Sequence, residues 1–112
     1  RTMVRLVTMG NHITTGTDAP IMPYGLSLHL ELQTFVDGGL KPYHALQASS
    51  LWAAESLGLD KDLGSIEPGK LADLVIVDGD PLKNIRDAWN VKIVMKNGKP
   101  YTLKELLDGP AR

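Results

Sequence analysis

Asp18 is the residue best placed to do chemistry in this sequence. It follows His12 to Thr17, a short β-branched run in which Ile13, Thr14 and Thr15 read as a strand ending at Gly16. After it comes Ala19-Pro20-Ile21-Met22-Pro23, whose two prolines prevent regular pairing and force an irregular loop. A carboxylate at the C-terminal end of a strand is well placed for chemistry. The chain has three histidines, His12, His29 and His44, and no cysteine, so any metal must be held by His, Asp or Glu. His29 and Glu31 invite a reading as a ligand pair, but an i,i+2 spacing puts them on different helix faces, so they are not read as a site.

The elements that would position Asp18 can be read on either side of it. Met3, Val4, Leu6, Val7 and Met9 suit the last turns of a helix that Gly10 and Asn11 would stop. Leu28, Leu32, Phe35 and Val36 recur at helical spacing from Ser27 to Asp37, and Gly38-Gly39 supplies a left-handed end. Pro42 opens a further helix that runs to Leu57, with Leu46, Ala53, Ala54 and Leu57 on its apolar face and Gly58 closing it. Beyond Gly58 the character changes. Gly64, Pro68 and Gly69 punctuate a loop, and Leu74-Val75-Ile76-Val77 is a compact apolar strand. Asp78 to Pro81 makes a turn, and Asn84 to Asn90 is a loop or short helical turn. Val91 to Lys96 and Lys99 to Thr102 are strands joined by the hairpin signal Asn97-Gly98, and Leu103 to Asp108 is a short surface helix.

Composition narrows the function. At 112 residues and 43% hydrophobic content, the chain has room for one small domain with a real core. Twelve basic and thirteen acidic side chains nearly cancel and are scattered, so nothing recruits nucleic acid or a membrane surface. No apolar run approaches the roughly 18 residues that span a bilayer, and the expectation is a soluble chain, with cytoplasm and periplasm both open. It opens on Arg1 without an initiator Met or a helix cap, which reads as a chain cut from something longer.

Two stretches together resemble the amidohydrolase superfamily, in its imidazolonepropionase-like and Xaa-Pro dipeptidase-like branch. They are Thr14-Thr15-Gly16-Thr17-Asp18-Ala19-Pro20 and the segment from Gly64 to Asp78, Gly-Ser-Ile-Glu-Pro-Gly-Lys-Leu-Ala-Asp-Leu-Val-Ile-Val-Asp. The helical pair between them, with His29-Leu30-Glu31-Leu32 and Gly39 to Leu46, is also similar to that family. The resemblance implies an α/β fold: the end of a (β/α)8 TIM-type barrel in residues 1–58, then the C-terminal strands of a small composite β-sandwich in residues 59–112. As given, that fold is incomplete. It also implies a parent enzyme that hydrolyses amide or related C–N bonds in small-molecule or peptide substrates with a divalent metal, zinc first among the candidates.

In that family Asp18 would be a metal ligand and the general acid–base group, accepting a proton from the attacking water and delivering it to the departing nitrogen. Tyr24, in the loop from Ala19 to Gly25, would be a substrate contact. The family's His-x-His pair and middle-strand histidines have no counterpart here, and His12, His29 and His44 match none of those motifs. The chain alone is therefore expected to hold no metal and to be inactive. Its bare strand edge and apolar helix face are expected to drive self-association. Lys41 stands where a Ser or Thr cap usually precedes the proline.

Each feature also has a plainer reading. An Asp after a strand is more often a turn or cap residue than a catalyst, and only the conjunction of motifs reverses that. The three histidines and both tryptophans are more often packing residues than ligands. The Pro68 to Asp73 segment reads as a structural turn in which Asp73, like Asp78, bonds loop backbone. The competing class is a self-contained α+β binding or structural module in which Asp18 merely caps a turn.

Overall fold

The structure, a computed structural model, describes residues 2–18, 21 and 25–109. Helix α1 (Thr2–Thr8) ends as expected, with the Asn11 and Gly10 amides donating to Leu6 O and Val7 O, each at 3.0 Å. Helix α2 (Leu26–Asp37) buries Leu32 and Phe35, which lie one turn apart on its inner face. It closes when the Leu40 and Gly39 amides donate back to Phe35 O and Val36 O, a Schellman arrangement that Gly39 permits by adopting φ 99°.

The expected single helix from Pro42 to Leu57 is two: α3 (Pro42–Ala48) and α4 (Leu51–Ser56). The serines between them explain the break. Ser49 and Ser50 hydroxyls both donate to Leu46 O, at 3.0 and 2.7 Å, the carbonyl on which a continuous helix would seat the Ser50 amide. That amide turns instead to Gln47 O. Side-chain bonds of this kind compete with the helical ladder. Lys41 offers α3 no side-chain cap, as its sequence suggests.

These helices enclose a core of Leu32, Phe35, Leu40, Ala45, Ala48 and Trp52, with Met3, Val4, Val7 and Ile13 packed against it. Ala45 and Ala48 are fully buried, small enough to let α3 approach its neighbours closely. The remaining core member, Ile85, comes from a 3-10 turn (Ile85–Trp89) on the far side of the chain.

Residues 74–102 form a three-stranded antiparallel sheet in the order β1 (Leu74–Val77), β2 (Val91–Lys96), β3 (Lys99–Thr102). Lys96 pairs with Lys99 around Asn97 (φ 49°) and Gly98 (φ 77°), the left-handed pair that a two-residue hairpin requires. Helix α5 (Leu103–Asp108) follows on a capping box, in which the Thr102 hydroxyl accepts from the Glu105 amide and the Glu105 carboxylate accepts from the Thr102 amide.

The strand expected over 12–17 is absent: residues 11–18 follow an irregular path. Strand geometry needs a neighbour to satisfy its ladder. Among the described residues no strand lies beside this segment, so the Thr15 amide donates to Ala48 O (3.3 Å) at the end of α3 instead.

Candidate active site

Asp18 lies exposed at the end of the irregular segment, with φ 39°, a left-handed conformation in which Asp is among the residues more often found. Its carbonyl accepts from the Ile21 amide at 2.9 Å. Asp18 lines a cleft of about 360 Å³ together with Gly16, Thr17, Ser27, Leu30, Glu31, Thr34 and Phe35. Helix α2 contributes the apolar Leu30 and Phe35 to the wall, and Asp18 and Glu31 are the charged groups among these lining residues.

Glu31 connects α2 to that segment. Its Oε1 accepts a hydrogen bond from the Gly16 amide at 2.9 Å, two residues before Asp18. Its other oxygen, Oε2, is buried without a hydrogen-bond partner among the described residues. An i,i+2 comparison sets Glu31 aside, because it asks only whether His29 and Glu31 face each other. They do not act together, yet Glu31 reaches the loop fifteen positions earlier. No signal in the sequence marks this bond, because a Glu on an amphipathic helix is ordinarily a solvated residue.

The other singled-out residues fall elsewhere. His12 stacks on Trp52 at 4.6 Å between ring centres, and its Nδ1 lies 2.6 Å from a Glu55 carboxylate oxygen. His44 flanks Trp52 at 5.8 Å. Trp52 is thereby a buried packing residue between two imidazoles. His29 lies 5.1 Å from the Trp89 ring, with Nδ1 buried and unpartnered among the described residues. Tyr24 and most of its loop, Ala19, Pro20, Met22 and Pro23, lie outside the described residues.

The distinctive Gly64 to Asp78 stretch is a web of local bonds. Lys70 Nζ donates to Asp60 O and Ser65 Oγ, while a Cβ on Gly64 would stand 2.9 Å from Leu51 Cα and 2.7 Å from Ala54 Cβ, so only glycine lets this loop lie against α4. Asp73 Oδ1 accepts from the Asn97 amide at 2.8 Å, tying the loop to the hairpin turn. Asp78 departs from its expected role: its carboxylate faces Lys92 at 3.6 Å, an exposed cross-strand pair, rather than loop backbone.

A catalytic zinc site takes about three protein ligands. Among the described residues no group of three or more His, Asp or Glu is gathered to hold an ion. Asp18 offers an accessible hard oxygen donor at the cleft wall, the chemistry of one ligand in a larger set.

Residues 1–101 match the amidohydrolase family. Imidazolonepropionase of Thermoplasma volcanium is 33% identical over 88 residues, which make up 78% of this chain and 22% of that protein. Adenine deaminase of Methanosphaera stadtmanae is 41% identical over 81 residues, 70% of this chain and 14% of that one. Among solved structures, a Xaa-Pro dipeptidase with methionine bound in its active site superposes with a TM-score of 0.81 at 36% identity, covering 90% of this chain and 25% of that chain. The chain thus spans a quarter or less of the length of these proteins.

Proposed function

Because the chain belongs to the amidohydrolase family, we propose that it is the C-terminal portion of a metal-dependent hydrolase of amide and related C–N bonds. Residues 1–58 would be the end of a (β/α)8 barrel, and residues 59–112 the closing strands of a β-sandwich. The irregular path of 11–18 supports this: its strand-like sequence would pair with an earlier strand of a longer protein. Relatives named imidazolonepropionase, adenine deaminase and Xaa-Pro dipeptidase share attack at a C–N bond of a small molecule or dipeptide, the substrate class proposed here.

The observation that carries the reading is the Asp18 carboxylate, held exposed in a left-handed turn at the wall of a cleft. Asp18 would serve as one ligand of a divalent ion, zinc for preference, with the other ligands coming from outside this chain. When bound, such an ion supplies ionised water and polarises a carbonyl at neutral pH. Asp18 accepts the proton of the attacking water and returns it to the departing nitrogen, so a neutral amine leaves. An amide in its place keeps the shape and can accept a hydrogen bond, but it carries no proton. In the full-length enzyme, Asp18→Asn is expected to lower kcat by about 10²–10⁴-fold, the usual worth of a positioned acid–base group. Turnover within a few-fold of the parent would refute the assignment. The isolated chain, lacking the remaining ligands, would be inactive.

A further inference from the structure

We infer that Glu31 is the positioning residue for Asp18, an inference that rests on the catalytic reading of Asp18 above. Three observations converge on it. Among the described residues, two backbone amides of 12–18 are seen held from outside the segment: the Thr15 amide by Ala48 O at 3.3 Å, and the Gly16 amide, where the proposed barrel strand would give way to the loop, by Glu31 Oε1 at 2.9 Å. The Glu31 bond is the shorter, and because a carboxylate accepts it, it is of the charge-assisted class. Glu31 is also the one side chain seen holding backbone of the segment that lines the cleft, among the described residues.

The second observation is the rigidity of the support. Glu31 sits next to Leu32 on α2, whose Leu32 and Phe35 are core residues, and α2 is braced from outside by Gln33, whose Oε1 accepts from Arg86 Nε at 3.0 Å. A tether from this helix transmits a fixed reference to the loop. The third is the conformation it has to hold. Asp18 takes φ 39°, a region sparsely populated by residues other than glycine, so the segment will relax away from it unless the chain on either side is pinned. Gly16 pins one side, and the Ile21 amide on Asp18 O pins the other.

Glu31 touches no reacting atom in this account. It sets where the Asp18 carboxylate stands, and displacement of a catalytic group by about 1 Å can cost on the order of 10²-fold in rate.

The test is a set of variants in the full-length enzyme. Glu31→Gln retains a carbonyl oxygen that can accept from Gly16 N–H, and is expected to keep kcat within about threefold. Glu31→Ala removes the acceptor, and kcat should fall roughly 10–100-fold with KM changed less than threefold. Hydrogen exchange of the peptide covering 11–18, read by mass spectrometry, should accelerate at least about tenfold in Glu31→Ala and stay near the parent in Glu31→Gln. That readout needs neither metal nor turnover. Should Glu31→Ala fail to fold, Glu31→Asp, one methylene too short for the bond, takes its place with the same expected direction. Unchanged exchange or unchanged kcat on losing the acceptor overturns the inference, as does a Gln variant as impaired as the Ala variant. If Asp18→Asn is inactive while Glu31→Ala is not, Glu31 alone is misassigned. If Asp18→Asn is active, the catalytic reading itself falls.

Discussion

Three strand-like segments of this chain take different conformations. Val91–Lys96 and Lys99–Thr102 became a hairpin, whereas His12 to Thr17 stayed irregular. Val91–Lys96, with Val91, Ile93 and Val94, and the 12–17 run, with Ile13, Thr14, Thr15 and Thr17, are both rich in β-branched residues, so propensity does not separate them. The hairpin has its partner two residues away, with Asn97 and Gly98 supplying the two left-handed positions that fold one strand onto the other. The other segment has no strand beside it among the described residues, and its Thr15 and Gly16 amides are taken by a helix end and a carboxylate. A strand is a property of a pair. The sheet half closes its ladder within the chain, whereas the helical half carries a strand-like run that is offered no strand to pair with among the described residues.

The sharpest way to break this contrast is to cut the tie between the halves. Ile85 leaves the 3-10 turn to enter the helical core, where it is 3% exposed beside Leu32, Phe35 and Trp52. Ile85→Ala removes three carbons from a close-packed site and should destabilise the chain by about 2–5 kcal/mol. Thermal unfolding followed by circular dichroism would show it. If the helical half and the sheet were independent, the loss would be small and confined to residues near 85. A large, cooperative drop in Tm shows instead that the two halves share one core.

The same contrast explains what could be read from the sequence. Helices α1 and α2 and all three strands were legible because apolar spacing, Gly39, Asn97 and Gly98 are local signals. The break between α3 and α4 was not, because Ser49 and Ser50 are tolerated in a helix until their hydroxyls find Leu46 O. Asp18 was singled out by its place after a strand-like run and by its motif. Its tether to Glu31 was missed because i,i+2 reasoning compares side chains within one helix and is silent about a loop fifteen residues away. Ile85 was missed for the same reason: a lone apolar residue in a turn carries no periodicity, and only the packed structure shows which core receives it.

A smaller effect tests whether the sheet half owes its order to local bonds. Thr102 both ends β3 and caps α5, and its hydroxyl accepts from the Glu105 amide at 3.3 Å. Helix α5 has no buried residues, so packing does little to hold it. Thr102→Ala should cost about 1 kcal/mol at the cap, which is roughly fivefold in local opening. Amide exchange by NMR should quicken about that much across 103–108, while the β2 amides paired to β1 stay near their parent rates. Exchange in α5 that ignores the substitution would mean that the helix is held by something other than its cap.

The smallest expected effect is the acid response of the loop that meets the hairpin turn. Bonds from the Asn97 amide and then from Lys96 hold the Asp73 carboxyl below the usual aspartate range. Its folded value lies under its unfolded value of about 3.9, so the folded state binds fewer protons. The stabilisation is therefore complete above that unfolded value and fades as pH falls through the folded one. In Asp73→Asn the protonatable group is gone, leaving a weaker acceptor for Asn97 N–H at every pH. Protection of the Asn97 amide, corrected for intrinsic exchange, should be lower in the variant at pH 6, and the difference should close as the pH falls through the lowered folded value and the parent's carboxyl takes up its proton. A gap that stays constant from pH 6 to pH 2 would mean that charge on Asp73 contributes nothing, and that the turn is fixed by the left-handed Asn97-Gly98 pair alone.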